Sequence, residues 1–81
     1  MPTVHRFHGL RVVIYPNDHR PPHVHVMGKG CEAVFKLNGL QVPPELRENY
    51  GFSARELALI ESEIGEHLEH LQTQWSAIHG Y

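Results

Sequence analysis

A run of regularly spaced apolar residues near the C-terminus most constrains how this chain can fold. These residues recur at intervals of three or four: Leu57, Ile60, Ile64, Leu68, Leu71, Trp75 and Ile78. The spacing places them on one face of a long helix whose other side is rich in glutamate. Ser53 and Glu56 have the spacing of a capping box, and Gly80 suits the position just after a helix. We therefore predict one long helix over about residues 54–79.

The first half of the chain has the patterns of strands instead. Residues 10–15 are β-branched, aromatic and nearly continuously apolar, and residues 23–27 alternate between apolar and polar. A Gly-Lys-Gly turn then leads into a return strand. We predict strands within about residues 4–38 and a connection over residues 39–52. The expected fold is α+β, a small antiparallel sheet of three to four strands packed against the long C-terminal helix, in a single domain of residues 1–81.

Composition indicates the cellular compartment of the protein. The single cysteine, Cys31, rules out an intramolecular disulfide and fits a reducing compartment. The first residues lack the apolar segment of a signal peptide, and no apolar run is long enough to span a membrane. We therefore expect a cytoplasmic protein without a membrane segment.

Charge is distributed unevenly along the chain. The formal net charge is -2, which argues against a dedicated nucleic-acid-binding protein. Residues 1–41 hold five basic and two acidic side chains, whereas residues 42–81 hold two basic and seven acidic ones. This polarity is compatible with an anionic ligand on the first half or with assembly into a homo-oligomer, although a solvated helix face is its commoner origin.

The segment DHRPPHVHV contains most of the candidate chemistry. His23 and His25 lie two residues apart on a predicted strand, so their side chains project from the same face and could share one ion or one phosphate. The preceding turn could supply a third ligand from Asp18 or His19, and imidazole is a frequent ligand of Zn²⁺. The candidate metal ligands are therefore Asp18, His19, His23 and His25, with zinc as the candidate ion.

A catalytic interpretation of the same segment is also open. Imidazole titrates near neutral pH, so His19, His23 or His25 could act as a general acid or base toward a phosphodiester. Arg20 or Lys29 could then stabilise the developing negative charge. An ordinary turn with exposed histidines gives the same pattern, and it is the more frequent case.

Two further histidines, His67 and His70, lie three residues apart on the predicted helix. Such a pair could bind a metal, but both stand among glutamates on the polar side. We interpret them as part of a solvated helix face.

The stretch NDHRPPHVHV, with the strand LRVVIYPND that leads into it, resembles the signature of the domain-of-unknown-function family 4160. In that signature an acidic residue, His, a variable residue, Pro-Pro-His, an apolar residue and His stand together, here at residues 18–25. GCEAVFKL and the C-terminal EHLEHLQTQW extend the resemblance over essentially the whole chain. The resemblance implies a small prokaryotic protein that is often encoded beside another small protein, in an arrangement similar to toxin-antitoxin gene pairs.

Two functional hypotheses follow. In the first, the protein is a partner-dependent component of a toxin-antitoxin-like pair, with a protein partner encoded nearby and residues 18–25 as its functional surface. In the second, it is a metal- or histidine-dependent enzyme acting on phosphodiesters, or a simple metal-binding module. If RNA is bound at all, the glutamates of residues 61–69 indicate that it approaches the sheet and the histidine turn.

Overall fold

The computed structural model describes residues 3–80 as an antiparallel sheet followed by two helices. Five strands lie side by side in chain order: β1 (Thr3–Phe7), β2 (Leu10–Val13), β3 (His23–Gly28), β4 (Cys31–Lys36) and β5 (Glu45–Tyr50). The helices are α1 (Ala54–Glu66) and α2 (Leu68–His79). The predicted α+β class is confirmed. The predicted domain of residues 1–81 also includes Met1, Pro2 and Tyr81, which lie outside the described residues.

The fifth strand corrects the prediction of three to four strands and of a strandless connection over residues 39–52. β5 pairs antiparallel with β4 at the edge of the sheet, and all six of its residues are exposed. Its sequence, ELRENY, does not show the regular alternation of apolar and polar residues that is typical of a strand with one buried face. Backbone pairing with β4, rather than a hydrophobic face, defines this strand.

The single long helix predicted over about residues 54–79 is interrupted at His67. The backbone N–H of His67 bonds to the Ile64 carbonyl at 3.0 Å, while Nδ1 of its side chain donates to the Glu63 carbonyl at 2.9 Å. The side chain thus occupies the carbonyl that the His67 N–H would bond in a continuous α-helix. The second helix begins directly afterwards, with the N–H of Leu71 bonded to the His67 carbonyl.

The predicted apolar stripe forms the helical half of the core in spite of this break. From the helices, Ile60, Ile64, Leu68, Leu71 and Trp75 are buried. They pack on the sheet residues Val12, Val24, Val26, Ala33 and Phe35, with Ile14 and Leu37 just beyond the strands. Burying a side chain of this size contributes about 1.5–3 kcal/mol, so the helix–sheet contact dominates the stability of the fold.

Both predicted helix ends are confirmed. The Ser53 hydroxyl accepts the Glu56 N–H at 3.1 Å, and the Glu56 carboxylate accepts the Ser53 N–H at 2.8 Å. Gly80 ends α2 in the left-handed conformation, with φ of 78°. Within residues 3–80, no helix has the length and apolar character needed to cross a membrane.

Candidate functional site

β3 places its two histidines together, because its valines alternate with them and enter the core. The ring centroids of His23 and His25 are 5.3 Å apart, and the side chains are 20% and 16% exposed. The ring of Tyr15 lies 4.7 Å from that of His25, and the indole of Trp75 lies 5.3 Å from the ring of His23. Both imidazoles are therefore largely covered by neighbouring aromatic side chains.

The turn after β2 brings Asp18 onto the two imidazoles. Its carboxylate accepts the backbone N–H of Tyr15 at 3.2 Å, and its own N–H bonds to the Tyr15 carbonyl at 3.0 Å. The same oxygen, Oδ2, lies 3.4 Å from Nε2 of His23 and 3.3 Å from Nε2 of His25. We call Asp18, His23 and His25 the sheet cluster. Its three potential ligand atoms lie within 4.8 Å of one another.

The other ring nitrogen of each imidazole in the sheet cluster is already engaged. Nδ1 of His23 lies 2.9 Å from the Pro21 carbonyl, and Nδ1 of His25 lies 3.1 Å from Oε2 of Glu32. Carbonyl and carboxylate oxygens only accept, so both Nδ1 atoms carry a proton. In a neutral imidazole, Nε2 then has a free lone pair, and metal-binding histidines are usually oriented in this way.

Nε2 of His25 is a buried atom with an unusual environment. Among residues 3–80 it has no partner in hydrogen-bond geometry, although Oδ2 of Asp18 is only 3.3 Å away. The distance fits an ion pair, but the oxygen is poorly aligned with the direction of an N–H group. A metal ion lies to one side of the line between two of its ligands, so this arrangement suits a metal better than a shared proton.

The structure places the other predicted site residues differently. His19 does not join the group of converging ligand atoms, and it lines an adjoining cleft of about 330 Å³ together with Arg20. His23 borders the same cleft. Lys29 lies in the turn between β3 and β4, at the opposite end of β3 from His23. Arg20 is therefore the nearer of the two cations proposed to stabilise charge.

A second histidine–carboxylate group was missed by the sequence analysis. It consists of His5, Glu63 and His67, and we call it the helix cluster. Nε2 of His5 and Oε2 of Glu63 are 2.8 Å apart, and this hydrogen bond is the main reason why the pKa of the Glu63 carboxyl is lowered. The rings of His5 and His67 are 4.4 Å apart, so His67 is partly buried rather than solvated. The only sequence signal for this group was the spacing of four residues between Glu63 and His67, which places them side by side on a helix.

The ligand count of the sheet cluster determines what chemistry it could support. Three protein ligands are the number found in catalytic rather than structural zinc sites. A metal held by Asp18, His23 and His25 would supply activation of water near neutral pH. Hydrolysis is the reaction class that this geometry permits.

Comparison with known proteins agrees with the resemblance noted in the sequence. A family model described as a domain of unknown function, DUF4160, matches residues 9–76, more than four fifths of the chain. The matched region contains the whole sheet cluster, whereas His5 of the helix cluster lies outside it. No curated protein and no solved structure matches the chain. The chain belongs to the DUF4160 family.

Proposed function

We propose that this protein binds one divalent transition-metal ion, with Zn²⁺ the best match, through Asp18, His23 and His25. The buried Nε2 of His25 carries the proposal, because it faces the Asp18 carboxylate at 3.3 Å without a hydrogen bond. Two neutral imidazole lone pairs facing one carboxylate oxygen repel it unless a cation lies between them. Nitrogen and oxygen are also the ligand atoms that zinc accepts.

The distances support a tetrahedral ion. Ligand atoms bound to Zn²⁺ at about 2.0–2.1 Å with tetrahedral angles lie about 3.3–3.4 Å from each other. Asp18 Oδ2 lies 3.4 Å from Nε2 of His23 and 3.3 Å from Nε2 of His25. The carboxylate could therefore share one ion with either imidazole without a change in its separation from that ring.

Zinc titration of untagged protein tests the proposal. After chelator treatment and buffer exchange, calorimetry should give one Zn²⁺ per chain. His25→Ala should weaken binding by more than about 100-fold, since even the loss of a residue behind a ligand costs about 10–100-fold. His5→Ala is the matched control, because it removes a histidine from the helix cluster and should leave the affinity unchanged.

Acidification provides a second measurement on the same samples. Protons and Zn²⁺ compete for the imidazole nitrogens, so the affinity should fall as the pH is lowered below neutrality. Absence of stoichiometric zinc at neutral pH would exclude the proposal. Loss of zinc in His5→Ala but not in His25→Ala would place the ion in the helix cluster instead.

A second candidate function is partner-dependent action in a toxin-antitoxin-like pair, and β5 is the observation that favours it. All six residues of this edge strand are exposed, including Leu46 and Tyr50, which are 42% and 60% accessible. Exposed strand edges offer unpaired backbone groups to a strand of another protein. We propose that a strand of a protein encoded nearby pairs with β5.

Co-expression with the product of the neighbouring gene tests this second proposal. Hydrogen exchange in the complex should slow at residues 45–50, while β1, the opposite edge of the sheet, should be unaffected. Unchanged exchange in β5 on mixing would contradict it. Protection of β5 in the isolated protein, together with a dimeric mass, would instead assign the edge to a second copy of this chain.

A further inference from the structure

A β-bulge in β5 brings an arginine to the cleft beside the sheet cluster. Val34 of β4 pairs with Glu48, and its neighbour Phe35 pairs with Leu46, so Arg47 is the extra residue on β5. Bulges re-aim side chains, and they are over-represented next to functional sites. Arg47 and Glu48, although adjacent in sequence, both line the cleft.

The cleft is concave and mostly basic. Its volume of about 330 Å³ is at the lower end of the range for small-molecule sites. The cleft is therefore large enough for a small ligand. Its charged and titratable lining residues are Arg20, Lys36, Arg47, His19, His23 and Glu48. The carboxylate of Glu48 accepts a hydrogen bond from the Tyr50 hydroxyl at 2.7 Å. The lining therefore contains three cationic side chains and one carboxylate.

We propose that this cleft binds the phosphate group of a nucleotide-sized ligand, with Arg47 and Lys36 contacting the phosphate oxygens. The planar guanidinium of an arginine can donate two parallel hydrogen bonds to phosphate, and lysine adds a compact point charge. His23 belongs to both the cleft and the sheet cluster, so the phosphate would lie next to the proposed metal. The inference deepens the proposed metal site by naming its ligand class, and it rests on that proposal only for the role of His23.

Titration of isotope-labelled, metal-free protein with three small molecules tests the inference by NMR. Adenosine 5′-monophosphate provides a phosphate monoester, the dinucleotide ApA provides a diester, and adenosine lacks phosphate. Adenosine monophosphate, ApA or both should shift the amide signals of the cleft residues, and the tighter binder identifies the kind of phosphate. Adenosine should not shift them.

Two variants of equal charge separate the cleft from general electrostatics. Arg47→Gln should weaken phosphate binding by about 10-fold or more, as expected for loss of a charged hydrogen bond. Arg55→Gln removes the same charge from an exposed position on α1, outside the cleft, and should have little effect. Glu48→Gln should tighten binding by about two- to five-fold, because it removes a nearby negative charge. A gain in affinity cannot result from misfolding.

The outcome does not depend on whether zinc binds. The NMR titration is made without metal. Its result therefore stands if the zinc experiment fails, and zinc binding alone does not imply that phosphate binds. Absence of shifts with both phosphate compounds, or equal shifts with adenosine, would overturn the phosphate cleft. Equal losses in Arg47→Gln and Arg55→Gln would overturn it as well.

Discussion

The sheet cluster and the helix cluster contain the same side-chain types, two histidines and one carboxylate, but their hydrogen bonds differ. In the sheet cluster, both Nδ1 atoms donate to fixed oxygens, and the Nε2 atoms face Asp18 at 3.3 and 3.4 Å. In the helix cluster, Nε2 of His5 forms a 2.8 Å hydrogen bond with Glu63. The second arrangement is complete with a proton, whereas the first leaves a buried nitrogen, Nε2 of His25, without an aligned partner among residues 3–80.

The difference shows that proximity alone does not define a metal site. Both groups bring three potential ligand atoms within 4.8 Å of one another. What separates them is the nitrogen that faces the carboxylate. In the sheet cluster both Nε2 atoms face Asp18 while Nδ1 is bonded elsewhere, whereas in the helix cluster Nε2 of His5 is already hydrogen-bonded to Glu63. Our proposal of metal binding therefore concerns the sheet cluster, while His5 and Glu63 of the helix cluster form an ion pair.

Neither cluster should dominate the stability of the fold, so replacement of a core residue should have the largest effect. Leu71→Ala should lower the free energy of unfolding by about 2–5 kcal/mol, because Leu71 is completely buried between α2 and the sheet. Leu59→Ala is the matched control, since Leu59 is 57% exposed and should change stability by less than about 0.5 kcal/mol. Urea denaturation measures both. Comparable losses in His5→Ala would contradict this expectation.

Removing the carboxylate behind His25 sharpens the contrast between the clusters. Glu32→Gln should weaken Zn²⁺ binding by about 10–100-fold, because Glu32 accepts the Nδ1 proton and orients the ring. Glu63→Gln makes the same change in the carboxylate of the helix cluster and should leave zinc affinity unchanged. Calorimetric titration of both variants provides the measurement. A similar weakening in both would mean that zinc binding responds to overall charge rather than to the orientation of His25.

Glu63→Gln should instead have its effect on stability. The variant loses the charged hydrogen bond to His5 that ties β1 to α1, at a cost of about 0.5–1.5 kcal/mol near pH 7. Chemical denaturation at neutral pH gives this value. Glu61→Gln, at an exposed position on the same helix, controls for helix charge. Equal stability of the two variants would show that the contact between His5 and Glu63 contributes nothing.

The smallest effect is the pH dependence of this contribution. The pKa of Glu63 is lowered in the folded protein from its ordinary value of 4.5, mainly by the hydrogen bond with His5. Its contribution is thus fully present above pH 4.5 and is lost as the pH falls through the lowered pKa. The stability difference between wild type and Glu63→Gln should therefore shrink as the pH falls below 4.5. A difference that grows below pH 4.5 would contradict a lowered pKa of Glu63.

The parts of the fold that follow from local patterns could be predicted. The apolar stripe, the capping box at Ser53 and the glycine at residue 80 identified the helical region and its ends. β5 could not be predicted because the segment ELRENY exposes all its side chains and is defined by pairing with β4. The break at His67 could not be predicted because the apolar spacing continues across it. There, a hydrogen bond from the His67 side chain to the Glu63 carbonyl replaces the backbone hydrogen bond of a continuous helix.

In the candidate site, too, only the features that depend on local sequence could be predicted. Alternation along one strand was enough to place His23 and His25 on one face. The choice of Asp18 over His19 depended on the turn, in which the Tyr15 N–H holds the carboxylate in place. The helix cluster joins residues 58 positions apart, and no local pattern encodes such a contact.

The strand order has a consequence for how the chain reaches its native state. Every strand pairs with its neighbour in sequence, so the sheet can assemble as successive hairpins, and only the helices close long loops. Such local topology favours rapid folding. Asp18 lies in the segment that connects β2 with β3, so we expect the sheet cluster to form as these two strands pair. Asp18, His23 and His25 would then already lie close together before α1 packs on the sheet.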